Sequence, residues 1–298
     1  MSEACLACGG DKSKLVRVIR RAGDARIVEC GNCKLVQLAE LPSREELDEL
    51  YSDGYFEGVG KDAGYEIYAN QEAEYLRTFS EDVRRIREFV QNGRVLDVGC
   101  GFGYFLRSAL EGGLDAYGID LSEEGIREAE KHAPGRVFRG TVGDTDEIAG
   151  RSFDVVFASH LIEHITEPVS FLASLMPRLA EDGIVMFVTP NVESWLSRIS
   201  GSRWVSYKIP EHVAYYSPKT IERLLNEVGL EVIAIDSAYQ YYRLPFLMGK
   251  IRDLIRPLGA IVPKFENWSA FSHRMIRVTS GSLRVIARRR PTSATSDV

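Results

Sequence analysis

Four of the five cysteines in this 298-residue chain lie near its beginning, in two Cys-x-x-Cys pairs. The pairs are separated by 21 residues and consist of Cys5, Cys8, Cys30 and Cys33. Two such turns, with Gly9 and Gly31 giving backbone freedom, can direct four soft sulfur ligands at one tetrahedral zinc ion, as in a zinc ribbon. Two disulfides or four free thiols are the alternative, but disulfides are rare in a reducing compartment. The spacing therefore predicts a structural zinc site.

A second chemical pattern is the glycine-rich segment RVLDVGCGFGYFL, in which an apolar strand ends in Asp97 and a helix follows Gly103. Glycines let the backbone pass close beneath a ligand, and the free N–H groups of the next helix face the same space. A dinucleotide fingerprint would need glycine where the chain has Tyr104, and no Gly-Lys-Ser/Thr of a phosphate loop follows. Asp120 ends the next strand, where its carboxylate can accept two hydrogen bonds from ribose hydroxyls. The segment predicts a ribose-bearing ligand and disfavours NAD.

The stretch from His160 to His164 spells His-x-x-Glu-His, the pattern of inverted zinc peptidases, in which two histidines four positions apart face one metal. The motif directly follows a predicted strand. Pro168 stands four residues beyond it, which leaves little room for the long helix that would hold both ligands. A peptidase centre is therefore disfavoured.

These motifs lie in a chain whose apolar segments alternate between strand and helix periodicity. Strands are predicted at Val95–Val98, Ala116–Ile119, Val137–Phe138, Asp154–Ala158, Ile184–Val188, Glu231–Ile235 and Leu283–Ala287. Helices are predicted after an N-cap at Ser43, over Tyr68 to Val90, and near Tyr104–Glu111, Ser122–His132, Val169–Leu179 and Pro218–Val228. This alternation predicts an α/β fold with a mostly parallel sheet that is covered on both faces.

The composition is that of a globular protein, with 45% hydrophobic and 27% charged residues. The N-terminus lacks a basic segment leading into an apolar stretch, and no apolar run reaches the roughly 20 residues of a membrane span. We therefore expect a cytoplasmic protein. The net charge of −6 is uneven, since residues 1–240 carry −14 and residues 241–298 carry +8.

Most of this positive charge lies in or near an aromatic, proline-containing insertion at 239–280. An ordinary helix packed on the domain is one interpretation of the insertion. The other is a basic surface for an anionic membrane or for a phosphate-bearing acceptor, such as a nucleotide-linked or lipid-linked sugar. Both interpretations stay open on the sequence alone.

The segments LDVGCGFG, GID and FDVVFASHLIEH together resemble class I S-adenosylmethionine-dependent methyltransferases. The resemblance implies a Rossmann-like sheet of seven strands with the last one antiparallel, preceded by a small N-terminal zinc ribbon. It divides the chain into a ribbon at 1–40, a helical cap or linker at 41–92 and a methyltransferase domain at 93–298. It also implies S-adenosylmethionine as cofactor. The methionine and ribose portion would contact Asp97, Gly99, Cys100, Gly101 and Gly103, and the ribose diol would contact Asp120. Adenine would contact Thr141 and Val142, and His160 would also contact the methionine portion.

The resemblance extends to two Glu-His pairs. Glu163 and His164 match a pair in ubiquinone-pathway-like and sugar methyltransferases, although they could also cap and orient their loop. Pro210-Glu211-His212 resembles a motif of zinc-ribbon-bearing sugar C-methyltransferases, in which the pair lies in the active site. Methyl transfer requires alignment and, for a hydroxyl, a base with a pKa near 7, a role that His212 fits. A structural His212 that fixes the start of the helix after Ser217 is the alternative.

The sequence therefore predicts a methyltransferase that acts on a small hydroxylated, saccharide-like acceptor, at oxygen rather than carbon. An RNA base methyltransferase is the second hypothesis, because some ribosomal RNA methyltransferases also place a zinc ribbon before this fold. The charge of −14 on residues 1–240 argues against a nucleic-acid partner. A non-catalytic cofactor-binding scaffold is the third, and the presence of Glu211 and His212 argues against it.

Overall fold

The computed structural model describes residues 4–10, 15–22, 25–43, 45–46, 71–247 and 274–291. The strands in these ranges are β1 (Leu15–Ala22), β2 (Ala25–Cys30), β3 (Val36–Leu38), β4 (Arg94–Val98), β5 (Asp115–Asp120), β6 (Val137–Arg139), β7 (Phe153–Ser159), β8 (Leu179–Pro190), β9 (Ala214–Tyr215), β10 (Leu230–Arg243) and β11 (Met275–Arg289). The helices are α1 (Glu72–Ile86), α2 (Tyr104–Glu111), α3 (Glu123–Ala129), α4 (Pro168–Leu175), α5 (Trp195–Ser200) and α6 (Pro218–Glu227). None of the described helices combines the length and the apolar character that crossing a membrane requires.

A seven-stranded sheet in the order β10-β11-β8-β7-β4-β5-β6 forms the centre of the fold. The strands from β4 to β8 run parallel, and β11 lies antiparallel between β8 and β10, which confirms the predicted fold class. Central strands are buried on both faces, so β7 reads as a continuous apolar run rather than an alternating one. The carboxyl ends of β4, β5, β7 and β8 meet at one edge, where ligands of open parallel sheets bind.

The last two strands are longer than their sequence patterns predict. They pair from Leu230 with Arg289 to Arg243 with Met275, so both ends of the 239–280 insertion are strand. The aromatic residues at this end of β10 pack on α1: Tyr241 donates a hydrogen bond to Glu81 over 2.6 Å. Residues 248–273, on which the interpretations of the insertion depend, lie outside the described residues.

The N-terminal strands form a second, antiparallel sheet in the order β1-β2-β3-β9. Its fourth strand comes from the segment just after His212. Val36 pairs with Tyr215, and Leu38 donates its N–H to the carbonyl oxygen of Val213 over 2.9 Å. The buried side chains of both segments belong to one apolar cluster with residues of β7 and β8. The small sheet therefore includes a strand from outside the predicted 1–40 segment.

The predicted N-cap at Ser43 shows the hydrogen bonds of a capping box. Glu46 donates its N–H to Ser43 Oγ over 3.2 Å, and Ser43 donates its N–H to Glu46 Oε2 over 2.7 Å. The helix predicted over Tyr68 to Val90 is shorter in the structure, where α1 covers Glu72–Ile86. Residues 47–70 lie outside the described ranges.

Candidate active site

The glycine loop after β4 has the backbone geometry that its composition predicts. Gly99, Gly101 and Gly103 have φ angles of 76°, 48° and 76°, in the left-handed region that other residues rarely adopt. A Cβ at Gly103 would lie 2.9 Å from Ala129 of α3, so this glycine permits close helix packing. A Cβ at Gly101 would meet nothing within 4 Å, so open space faces the loop at this residue. Gly101 is therefore the position where a ligand can approach the backbone.

Asp120 holds this loop to the end of β5. Its Oδ2 accepts a hydrogen bond from Gly101 N and its Oδ1 accepts one from Ser122 N, each over 2.8 Å. Each carboxylate oxygen has two lone pairs, so both can still accept a ribose hydroxyl. Burial raises the pKa of Asp120, although the N–H groups of Ser122 and Gly101 oppose that shift. These features fit the ribose of an adenosyl cofactor.

Asp97 and Cys100 are buried beside this loop. Burial and the neighbouring charge of Asp120 raise the pKa of Asp97 well above its usual value. Burial also raises the pKa of Cys100, and a Cβ at Gly118 would lie 2.8 Å from the Cys100 sulfur. Cys100 is therefore a neutral thiol packed against β5 and has no thiolate for nucleophilic attack.

The two residues predicted to contact adenine differ in their surroundings. Thr141 is exposed, and its hydroxyl donates to Asp144 Oδ2 over 2.9 Å. Val142 is buried and belongs to the main apolar cluster. A ligand in this loop would meet the side chain of Thr141 more readily than that of Val142.

The turn after β7 lies between the glycine loop and the candidate catalytic residues. His160 has a φ of 53°, and its N–H donates to the carbonyl oxygen of Val188 over 2.7 Å. The next side chain, Leu161, lies 3.2 Å from where a Cβ at Gly99 would stand. Only one 3-10 turn, Ile162–His164, follows, so the His-x-x-Glu-His pattern does not lie on a helix. The motif therefore lacks the helix on which an inverted zinc peptidase holds its two histidines.

Glu163 is the most enclosed carboxylate of this region. His160 Nδ1 lies 3.1 Å from its Oε1, and the Thr189 hydroxyl donates to its Oε2 over 2.9 Å. Burial alone would raise the pKa of Glu163, but the hydrogen bond with His160 and the nearby imidazoles hold it below its usual value. Sequence analysis missed Thr189. The only feature of the sequence that could have indicated a place for it in the site is its position near the carboxyl end of β8.

Glu163, His164 and His212 form a buried group in which a carboxylate oxygen and one nitrogen of each imidazole all lie within 4.8 Å. The rings of His164 and His212 are 4.7 Å apart at 84°. Burial lowers the pKa of His212 to about 3, and the charge of Glu163 only partly opposes the shift. The expectation of a base with a pKa near 7 is therefore wrong for His212 in the ligand-free protein. Within the described chain, the buried His212 Nδ1 has no hydrogen-bond partner. The structure thus holds a neutral imidazole with one unsatisfied nitrogen beside an ionised carboxylate.

The structure also locates the other residue of the second Glu-His pair and the start of α6. Glu211 is partly exposed and faces Lys208 at 3.9 Å, outside the buried group. Ser217 caps α6 through reciprocal bonds with Thr220, including one of 2.8 Å from Ser217 N to Thr220 Oγ1. His212 is therefore not needed to fix the start of this helix.

The four N-terminal cysteines form a cluster whose sulfurs all lie within 4.8 Å of one another. Cys5 and Cys33 are separated by 3.3 Å and Cys8 and Cys30 by 3.9 Å, close to the ~3.8 Å edge of a tetrahedron with Zn–S bonds of about 2.3 Å. The donor set and spacing fit a zinc ion.

The two cysteine turns use different residues to reverse the chain. Gly9 has a φ of 61° four residues after Cys5, and Lys34 has a φ of 68° four residues after Cys30. The expectation for Gly31 is therefore wrong, because the left-handed position falls on Lys34.

Residues 68–235, more than half of the chain, match the family described as "Methyltransferase domain". A ubiquinone biosynthesis O-methyltransferase of Idiomarina loihiensis is 31% identical over 154 residues, which are 48% of this chain and 63% of that protein. A protein of the same name from Burkholderia pseudomallei is 27% identical over 156 residues, which are 48% of this chain and 66% of that protein. The chain thus spans less than two thirds of the length of these relatives.

Two solved structures share the fold along most of this chain. A chain from the complex of the Haloferax volcanii Trm112 methyltransferase activator with a methyltransferase has a TM-score of 0.54 at 19% identity and covers 84% of this chain and 100% of its own. The Burkholderia thailandensis 1,6-didemethyltoxoflavin-N1-methyltransferase, solved with S-adenosylhomocysteine, has a TM-score of 0.52 at 14% identity and covers 92% of this chain and 100% of its own. These likenesses establish the fold.

Proposed function

This chain belongs to the family of methyltransferase domains, and from that premise we propose that it transfers the methyl group of S-adenosylmethionine to a hydroxyl of a small, saccharide-like acceptor. The observation that carries the proposal is the buried, neutral His212, whose Nδ1 lacks a partner beside the ionised Glu163. A buried polar nitrogen without a partner is costly, and an acceptor hydroxyl would supply the missing hydrogen bond once a movement of neighbouring side chains exposes this enclosed nitrogen.

The cofactor supplies an electrophilic methyl group on a positively charged sulfur. The glycine loop and Asp120 would bind its adenosyl portion, at the edge of the sheet where His160 begins the turn toward Glu163. His212 has a pKa of about 3 and is too weak a base to remove the hydroxyl proton beforehand, so it would take that proton at Nδ1 only as the acceptor oxygen becomes methylated and strongly acidic. Glu163 would stabilise the imidazolium so formed, because its negative charge lies within 4.8 Å. Alignment by fixed side chains supplies most of the remaining rate enhancement.

The half-buried ring of Tyr207, five residues before His212, supports a small, ring-shaped acceptor. Tyr207 is half-buried, and its ring lies 5.1 Å from those of Trp204 and Tyr215, which are fully buried. Lys208, next to Tyr207, is exposed and could meet the phosphate of a nucleotide-linked or lipid-linked sugar. Transfer to oxygen is favoured because the curated relatives are named O-methyltransferases.

We also propose that the four cysteines bind one structural zinc ion and that the protein works in a reducing compartment such as the cytoplasm. The spacing of the sulfurs and their burial support the zinc ion. The zinc site would stabilise the small sheet that holds β9, the strand immediately after His212 and Val213.

The test is methyl transfer from isotope-labelled S-adenosylmethionine to a panel of nucleotide sugars, free sugars, phenols and RNA. We expect labelled product with a hydroxylated small molecule, and His212→Ala should lower turnover by roughly 10²–10⁴ while cofactor affinity stays within a few-fold. Wild-type turnover in His212→Ala would remove the proposed base. Transfer to RNA alone would replace the proposed acceptor.

A further inference from the structure

The short helix α5 exposes the residues that a surface helix normally buries. Trp195 is 57% exposed and Ile199 is 76% exposed, and their i, i+4 spacing places them on one face. Ser194, the N-cap, and Ser197 are buried instead. Val205, after the next turn, is 69% exposed. Ser197 thus faces the domain, whereas the large apolar side chains of Trp195 and Ile199 face solvent.

This concentration of exposed apolar side chains is local. Single exposed apolar residues are ordinary on protein surfaces. In the described parts of the chain, the other large examples lie singly on separate elements, including Leu121, which is 61% exposed. By contrast, Trp195, Ile199 and Val205 fall within eleven consecutive residues. We call residues 195–208 the exposed segment.

The exposed segment is also basic in a chain whose net charge is −6. It contains Arg198, Arg203 and Lys208 and no acidic residue. Arg198 and Arg203 are exposed, and neither forms an ion pair with a described residue. Lys208 lies 3.9 Å from Glu211, at the limit of an ion pair. Apolar and cationic side chains therefore alternate along the same stretch.

The start of the exposed segment is held firmly on the domain. Asn191 donates its N–H to Gly281 of β11, and Val192 donates its N–H to Tyr216, each over 2.9 Å. Leu196, on the inner side of α5, lies 3.5 Å from where a Cβ at Gly281 would stand. These contacts fix the helix with Trp195 and Ile199 directed outward.

We propose that the exposed segment is a membrane-binding surface for an anionic lipid bilayer. Tryptophan partitions to the membrane interface, aliphatic residues enter the acyl boundary, and clustered arginine and lysine bind anionic headgroups. A protein interface would instead carry its charge at the rim and deplete it from the apolar centre. The exposed segment ends at Lys208, whose carbonyl oxygen accepts the N–H of His212 over 2.7 Å, so a lipid-carried acceptor bound at this end would lie near the candidate base. The binding itself does not depend on the proposed reaction.

Co-sedimentation of the full chain with phosphatidylcholine vesicles, with and without 30% phosphatidylglycerol, tests the proposal. We expect binding to the anionic vesicles, weakened by salt, and a blue shift of tryptophan emission that disappears in Trp195→Phe. Arg198→Gln with Arg203→Gln should weaken binding about twenty-five-fold, at roughly fivefold per cation. Trp195→Ser with Ile199→Ser should weaken it by at least about tenfold. The matched controls Val169→Ser and Arg223→Gln, exposed residues outside the segment, should bind as the wild type does.

Three outcomes would overturn the proposal. Equal binding by the wild type and the Trp195→Ser, Ile199→Ser variant would assign any membrane contact to another part of the chain. Absence of binding to anionic vesicles at low salt would remove the bilayer as the occupant. A stable dimer without lipid, dissociated by the same two substitutions, would show that the segment binds a second copy instead.

Discussion

Val213 donates its backbone N–H to the carbonyl oxygen of Glu163 over 2.9 Å. The residue after His212 is thus bonded to the residue that carries the buried carboxylate, although the two lie on separate loops. Val213 also accepts a hydrogen bond from Leu38 of the small sheet. The position of His212 therefore depends on contacts with both sheets.

Replacing each glutamate of the two Glu-His pairs should have very different effects. Glu163→Gln keeps the shape of the side chain but removes the charge that would stabilise the His212 imidazolium, so we expect kcat to fall about 100-fold or more. Glu211→Gln is the matched control, because Glu211 faces Lys208 outside the buried group. It should retain kcat within a few-fold. Similar losses in both variants would contradict the proposed role of Glu163. Steady-state kinetics measures the contrast.

Acid should destabilise the protein through His212. Its pKa is about 3 in the folded state, against roughly 6.5 when unfolded. Below pH 6.5 the unfolded chain binds a proton that the folded chain does not, so stability falls as the pH falls from 6.5 toward 3. Urea unfolding should show that this residue contributes a loss of about 1 to 2 kcal/mol between pH 7 and pH 5.

His212→Asn provides the comparison for this pH dependence. The variant should lose less stability than the wild type between pH 7 and pH 5, and the two curves should run parallel above pH 7. Glu163 titrates below this window, and Asp82, whose pKa burial raises to about 6, contributes equally to both proteins. Identical slopes between pH 7 and pH 5 would show that His212 takes up its proton in the folded state.

The ribose assignment of Asp120 can be measured by binding alone. Asp120→Asn removes the charge-assisted bonds to the ribose and should weaken S-adenosylmethionine binding by about ten- to a hundredfold. Because Asp120 also holds Gly101, thermal unfolding must show that the variant is folded. Asp146→Asn, an exposed carboxylate on a neighbouring 3-10 turn, should bind normally. Equal affinities in calorimetry would remove Asp120 from the cofactor site.

Zinc removal should abolish turnover before it abolishes cofactor binding. We expect one zinc ion per chain, lost in Cys8→Ser with Cys30→Ser and retained in Cys100→Ser, whose sulfur lies in the glycine loop. Loss of the ion should release β3 from β9 and displace His212, because metal binding and folding are coupled in such sites. Elemental analysis measures the zinc content, calorimetry measures the cofactor affinity, and steady-state kinetics measures the turnover. Full turnover in metal-free protein would show that the ribbon does not position the base.

The parallel strands and the glycine loop were predictable from the sequence because their signals are local. β4, β7 and β8 are buried on both faces and read as apolar runs, and positive φ angles in the loop fall on glycines. The same reasoning failed at Lys34, where a lysine takes the left-handed conformation. It also underestimated the length of β10, whose Tyr241 contacts Glu81 of α1.

The grouping of the catalytic candidates could be predicted only in part. Composition and motif indicated His212 and Glu163 separately, but no local pattern predicts that Thr189 bonds to Glu163. The two residues of β9 carry too little sequence signal to predict a strand, and their partner β3 lies far away in the chain. Pairings of this kind are decided by tertiary packing.

The pairing of Val36 with Tyr215 joins positions 179 residues apart. During synthesis, β1, β2 and β3 emerge long before β9 exists, so the small sheet cannot be completed until most of the central sheet has been translated. Contacts between residues so far apart in the sequence form late, because the entropy cost of bringing the two ends of the intervening chain together must be overcome first. A nascent chain that has bound its metal ion would therefore still lack the fourth strand, and the candidate base would reach its place among the last events of folding.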